Sequence, residues 1–298
     1  MHFCFIIEAQ YRNETMPLAV ARQLVEYGHD VDLLEPESTT IRLSDLNRGN
    51  YDAYVLKTVS DGPGLSILEA AEAAGIPTIN HSRSIRLVRD KAVATSYASS
   101  HGLPIPLTYF VTHPGLLKQI PWGDYPLVVK PNNGSSCRDI FLLASPADLA
   151  TLQLVETQAR FFLAQQYVEN NGFDSKLYVA GTEVFAVAKR SPLHPEVRVD
   201  KRLIPITLEL RNLALLVGKL FGLDIYGLDV VETGDGPMVV DINDFPSFGQ
   251  VPHAVALVSS EIVQIASRSL SRLNGLTSET SSDVINEVAV PLSYMLRE

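Results

Sequence analysis

Cysteine is nearly absent from this chain. Two in 298 residues, Cys4 and Cys137, cannot build a disulfide framework, and no His/Cys spacing has the form of a zinc site. Long apolar runs are missing too. No stretch of about 18 apolar residues is present to span a bilayer. The opening "MHFCFIIEAQYRNE" has no basic segment followed by an apolar run of leader length. Positive charge is in deficit, with 24 Lys and Arg against 34 Asp and Glu and a net charge of −10. Bulk attraction to nucleic acid or to an anionic membrane is thereby disfavoured, although a local basic cleft is not. Repeats and low-complexity segments are also lacking. These absences point to a soluble, cytoplasmic, globular protein. A composition of 46% hydrophobic and 19% charged residues suits two or three domains.

What is present divides into three stretches. Residues 1–80 alternate strand and helix: "FCFIIEA", then "TMPLAVARQLVEYGHD" with Thr15 as helix cap and Gly28 as stop, then "VDLLE", "AYVLK", "GLSILEAAEAAG" and "IPTIN". This order predicts a small parallel sheet. No glycine fingerprint follows the first strand, so dinucleotide binding is disfavoured. Residues 81–160 form a small α+β lobe. It has a helix from Asp90 to His101, strands "LTYFV", "PLVVKP" and "IFLLA", a mobile small-residue tip "NNGSSC", and a helix from Pro146 to Thr157. Residues 161–298 are mostly antiparallel. "FFLAQQYV" leads into a hairpin "SKLYVAGTEVFAVAKR", a loop over 191–202, a helix over 208–221 and a second hairpin "IYGLDVVETGDGPMVVDIN". A final helix covers His253 to Leu270, and "GLTSETSSD" (275–283) reads as a loop.

The second hairpin carries the clearest chemistry. Asp241 and Asn243 lie two apart in one strand and so share a face. A three-residue turn over 234–236 places Asp229 directly opposite Asp241. A two-residue turn shifts the pairing by one and sends Asp229 to the other face. Two facing carboxylates repel, and a hard cation with a neighbouring amide oxygen relieves that, as magnesium does. The metal reading therefore requires an odd-numbered turn. A strand end running out into solvent explains one such residue, but poorly explains three aligned oxygen ligands.

Other residues fit a nucleotide beside that cation. Lys130 emerges from the apolar strand "PLVVK", and Lys91 opens a helix. The loop holding Gly134, Ser135 and Ser136 has the small residues that let backbone N–H groups cover phosphates. Backbone groups of Tyr167 and Val168 offer an adenine edge, with Glu169 or Asp174 near ribose hydroxyls. Lys176, Lys189, Arg190, Arg198, Lys201 and Arg202 concentrate positive charge in an acidic chain. A transferring phosphoryl group needs such cations; a solvated basic loop is the plainer alternative.

In order, "RDK", "GLPIP", "VVKP", the small-residue loop, "QQYV", "FDSK", "GLDVVE" and "VVDIN" resemble the ATP-grasp superfamily, in particular its RimK-like glutamate-ligase branch. The resemblance runs from His2 to Leu270. It implies an N-terminal α/β domain (1–80) and two α+β lobes (81–160 and 161–298) that clasp ATP. It implies that Lys91 and Lys130 meet phosphates and that Gly134, Ser135 and Ser136 form a flap. Gln166, Tyr167 and Val168 would border adenine, with Asp174 and Lys176 nearby. Asp229, Asp241 and Asn243 would bind Mg²⁺, or Mn²⁺ in its place. Lys189, Arg190 and Arg202 would face the reacting groups. Departures exist: Asp241 stands where these ligases usually carry Glu, Gln166 replaces a hinge glutamate, and "DFPSF" replaces a small residue, Pro and Gly. The changes at Asp241 and "DFPSF", with "SKLYVAGTEVFAVAKR", are similar to inositol-phosphate kinases of the same superfamily, whereas the hinge glutamate that Gln166 replaces is common to both groups. Expected, then, is an ATP-dependent ligase of small carboxylate and amine substrates, with a kinase or a non-catalytic nucleotide-binding protein as alternatives. Arg12, Lys57, Arg86 and Arg89 are candidates for the remaining substrate pocket, and a homo-oligomer is left open.

Overall fold

A computed structural model describes residues 1–47, 50–57, 62–133, 140–150, 161–170, 172–194, 196 and 199–283. The first sheet is wholly parallel, in the order β2-β1-β3-β4, from β1 (His2–Ile7), β2 (Asp30–Leu34), β3 (Ala53–Lys57) and β4 (Thr78–Ile79). Helices α1 (Thr15–Glu26) and α2 (Pro63–Ala73) make the crossovers. Every residue of β3 is buried, as expected of a strand covered on both faces. Thr15 is the first helical residue rather than the cap, because the extended Glu14 precedes it; Gly28, at φ +85°, ends the turn that follows α1.

Two short helices, α3 (Ser82–Arg89) and α4 (Lys91–Ser100), lead into the middle lobe. The sequence reading missed α3, whose polar composition hides its buried face of Ser82, Ser84, Ile85 and Val88. Asp90 caps α4 by accepting from the Ala92 and Val93 N–H groups. The middle sheet has the order β5-β8-β6-β7, from β5 (Thr108–Val111), β6 (Leu127–Pro131), β7 (Phe141–Leu143) and β8 (Phe162–Gln166). "FFLAQQYV" therefore belongs with the middle sheet, where β8 pairs antiparallel with both β5 and β6. Residues 146–150 form a short 3-10 turn; the rest of the expected helix, and the tip with Gly134, Ser135 and Ser136, lie outside the described residues.

The third sheet has five antiparallel strands in the order β11-β10-β9-β12-β13: β9 (Phe173–Ala180), β10 (Glu183–Arg190), β11 (Arg202–Ile204), β12 (Ile225–Thr233) and β13 (Gly236–Asn243). Helix α5 (Leu208–Phe221) covers one face with Leu210, Leu213, Ala214, Val217 and Phe221 against Leu177, Val179, Leu228 and Val239. Its C-terminus is closed by Gly222 at φ +67°, where a Cβ is unfavourable. Opposite α5, Tyr178 and Phe248 join a core with Phe3, Phe5 and Leu24 of the first domain and Val258 and Ile262 of α6 (Ala254–Asp283). The last helix thus packs on the first domain, and its backbone stays helical through 275–283, where the sequence suggested a loop. Ser and Thr in that segment weaken helix propensity only modestly. Among the described residues, no helix is long and apolar enough to cross a membrane.

Candidate active site

The β12–β13 hairpin shows how the carboxylates come together. Its turn has two residues, Gly234 and Asp235, because Thr233 pairs with Gly236. That overturns the expected three-residue turn, and alone would turn Asp229 away from Asp241. A β-bulge corrects it. Val230 pairs with Val239, the next pair is Asp229 with Asp241, and Val240 is the extra residue between them. Asp229, Asp241 and Asn243 consequently share a face. The bulge has a second effect. It frees the Val240 carbonyl, which accepts from Lys130 Nζ at 2.7 Å across the gap between the lobes.

Register sorts the remaining cations. Lys176 is opposite Asp229, and Asp174 is opposite Lys189, so all four lie on the carboxylate face of the third sheet. Arg190 pairs with Phe173, and Arg202 pairs with Ala188. Strand alternation therefore directs Arg190 and Arg202 to the α5 side, away from the acids. Both are exposed, and Arg202 opens an edge strand rather than closing a loop. Of the basic residues grouped by sequence, Lys176 and Lys189 lie on the carboxylate face, Arg190 and Arg202 on the opposite one, and Lys201 beside Gly249. Arg198 lies outside the described residues.

Each carboxylate has a lysine. Lys176 Nζ lies 3.1 and 3.2 Å from the two Asp229 oxygens, with both side chains largely buried. Burial opposes both charges, but each outweighs it for the other: the Asp229 carboxyl is held below its ordinary range and the Lys176 ammonium above its own. Lys91 bonds Asp241. The Asn243 amide nitrogen is 3.4 Å from Asp229 Oδ2. Lys130 also donates to Gln165 Oε1 at 3.1 Å. Asp174 behaves differently, since burial first and Asp229 second push its carboxyl up to about 6. Its register opposite Lys189 puts it on the carboxylate face, and it lines the cleft between the middle and third sheets. Glu169 is exposed.

Asp229, Asp241, Asp174, Lys91, Lys130 and Gln165 line an open-mouthed cleft of about 840 Å³ between the middle and third sheets, together with Gln166, Tyr167, Val168, Ser191 and Leu193. At its rim the Tyr167 N–H is already committed to the Pro126 carbonyl at 2.8 Å, so it cannot serve an adenine edge as expected. The Val168 N–H has no hydrogen-bond partner among the described residues, which leaves it as the donor there. Two carboxylates and an amide oxygen on one face suit a hard cation. No cluster of three or more His, Cys, Asp or Glu able to hold a metal exists among the described residues. Outside the cleft, Arg12 pairs with Glu35 (3.0 Å) and Arg86 with Glu69 (2.7 Å) at the surface, so neither reaches it. Lys57 and Arg89 are instead buried where the first domain meets the third sheet. Sequence reasoning missed Asn80, Gln165, Asp244 and the Val240 carbonyl; the last three lie inside motifs it singled out, but their partners are distant in the chain.

A parallel domain followed by two α+β lobes around a cleft defines an ATP-grasp fold. Among solved structures, the RimK domain ATP-grasp protein of Sphaerobacter thermophilus superposes with a TM-score of 0.67 at 20% identity, covering 87% of this chain and 99% of that one. The ATP-grasp ligase PsnB, solved with a minimal precursor, Mg and ADP, gives a TM-score of 0.66 at 18% identity, covering 88% and 97%. A probable alpha-L-glutamate ligase of Shewanella sp. (strain W3-18-1) is 25% identical over 287 residues, 88% of this chain and 94% of the relative. The RimK-like ATP-grasp domain model matches residues 88–262, more than half of the chain. The chain belongs to the RimK-like ATP-grasp domain family.

Proposed function

We propose that this protein is an ATP- and Mg²⁺-dependent ligase that joins a small carboxylate to an amine through an acyl phosphate. One observation carries the reading: Asp229 and Asp241 face each other, with Asn243 beside them, in the cleft between two lobes. Family membership and the likeness to glutamate ligases support the same chemistry.

Nucleotide lies along the cleft with adenine at the Val168 N–H. Its phosphates run past Lys130 and Lys91 toward the acids. Asp229, Asp241 and Asn243 hold Mg²⁺, with Mn²⁺ as an alternative because it prefers the same oxygen ligands. Held there, the cation would supply positive charge that offsets the charge on the phosphates. Lys91 then exchanges Asp241 for a phosphate, while Lys176 keeps Asp229 ionised. The substrate carboxylate attacks the γ-phosphorus and ADP leaves; amine nitrogen then attacks the acyl carbon, loses a proton and expels inorganic phosphate. No enzyme nucleophile is needed, so orientation and charge do the work. Lys189, on the carboxylate face, adds positive charge beside that transfer, whereas Arg190 and Arg202 lie on the opposite face of the sheet. Dependence on ATP places the enzyme in the cytoplasm.

The test incubates enzyme, Mg·ATP and pools of carboxylates and amines, then reads products by mass spectrometry. Amine-dependent phosphate release with an amide product is expected, and Asp241→Ala should abolish it while the fold survives. A stable phosphorylated product would instead identify a kinase.

A further inference from the structure

Three side chains from outside the third sheet grip the turn that follows its metal-facing strand. Asn80, at the end of β4, is buried and makes four bonds. Its Nδ2 donates to the Asp244 carbonyl at 2.6 Å and the Ile225 carbonyl at 2.7 Å, and its Oδ1 accepts from the Asp224 and Ile225 N–H groups at 2.9 Å each. It thus ties the start of β12 to the end of β13, the two strands that carry Asp229 and Asp241. Arg89, the last residue of α3, pairs with Asp244, Nε to Oδ1 at 2.6 Å. The other carboxylate oxygen of Asp244 is buried with no hydrogen-bond partner among the described residues, so the neighbouring Arg89 and Lys57 charges offset this buried carboxylate. Lys57, the last residue of β3, donates to the Phe245 carbonyl. Its ammonium lies 4.7 Å from the Tyr11 ring centre and 3.9 Å from Glu14.

All three grips converge on Asp244 and Phe245, the residues directly after Asn243. None of the three is among the residues that line the nucleotide cleft. A strand end held only by its ladder frays, and β13 is the outer strand of its sheet. We propose that Asn80, Arg89 and Lys57 are positioning residues of the catalytic centre, by which the first domain fixes the end of β13 and, through it, the placement of Asp241 and Asn243 toward the cation. The first domain in this chain thereby tunes cation affinity. This rests on the magnesium reading above.

The experiment titrates Mg²⁺ into full-length protein with an environment-sensitive fluorescent ATP analogue, beside circular dichroism and melting curves. In Arg89→Met, the Mg²⁺ concentration for half-maximal nucleotide binding should rise about tenfold, while affinity without Mg²⁺ stays within about twofold, the scale on which residues that orient metal ligands act. Arg89→Lys should restore much of it. Should Arg89→Met not fold, the charge-neutral pair Arg89→Met with Asp244→Asn and the milder Lys57→Met carry the same expectation. Unchanged Mg²⁺ dependence in folded variants overturns the proposal, as does an equal loss of affinity with and without Mg²⁺. Wild-type protein that binds the analogue independently of Mg²⁺ refutes the magnesium reading itself, and this proposal with it.

Discussion

Replacing Lys176 by methionine keeps the stem of the side chain and removes one charge from a buried pair. With 12% and 15% of the Asp229 and Lys176 side chains exposed, little water reaches the pair. At 3.1 Å and an effective dielectric of about 20, the attraction is ~5 kcal/mol. Removing the lysine also removes the cost of burying it, so the net loss falls to about 3 kcal/mol, the lower end for breaking a buried pair. For a chain of this size that lowers Tm by about 6–12 °C. The pH dependence has a definite sign. In the wild type the Asp229 carboxyl is held low, so its contribution is present above the ordinary carboxylate range and lost as pH falls. In the variant, burial is opposed only by the more distant charges of Lys189 and Lys91, so the carboxyl moves up, the deficit is greatest at neutral pH and it shrinks on acidification. Added Mg²⁺ should restore part of the loss, because a cation on Asp229 replaces the missing ammonium. Urea denaturation at several pH values, with and without MgCl₂, makes the measurement. A loss below about 1 kcal/mol, the level of an exposed pair, refutes the assignment; so does a loss that Mg²⁺ leaves untouched.

Asp174 offers a complementary pH test. Its folded carboxyl titrates at about 6 against an ordinary 3.8, so the folded state binds the proton more tightly and stability falls as pH rises between those values. Asp174→Asn should abolish that slope and exceed the wild type by about 3 kcal/mol at pH 7 but not at pH 3; equal urea midpoints at pH 7 contradict it. Deleting Val240 should close the ladder with Asp229 still opposite Asp241. It removes only the Lys130 acceptor, for a loss of about 1.5–3 kcal/mol with Mg²⁺-dependent nucleotide binding retained. Val168→Pro should weaken nucleotide binding by about tenfold, one hydrogen bond's worth, with Tm unchanged, whereas Val168→Ala should be silent in both titration and melting.

Much of the fold is legible because it is local. The apolar residues of α5, its Thr207 cap and its Gly222 stop are all near neighbours in sequence. Strand–helix alternation likewise marks the parallel sheet. The place of β8 is not local: whether "FLAQQ" pairs with β6 or β9 depends on partners distant in the chain. Nor is the partner of a buried polar group, and Asn80 bonds residues about 145 positions away.

Sequence alone was enough for most of the ordered elements, α3 and the end of α6 excepted, and for the residue types at the cleft. Lysines, facing acids and a strand-end N–H follow one another at spacings that strand alternation makes meaningful. Tertiary structure decided orientation. Bulging at Val240 returned Asp229 to the face of Asp241 despite a two-residue turn, and cross-strand register sent Arg190 and Arg202 to the far side while keeping Lys176 and Lys189 near. The physical reason is that a strand's side chains alternate with a period of two. One residue more or less in a non-local pairing reverses every face, and only the assembled sheet shows where that residue lies.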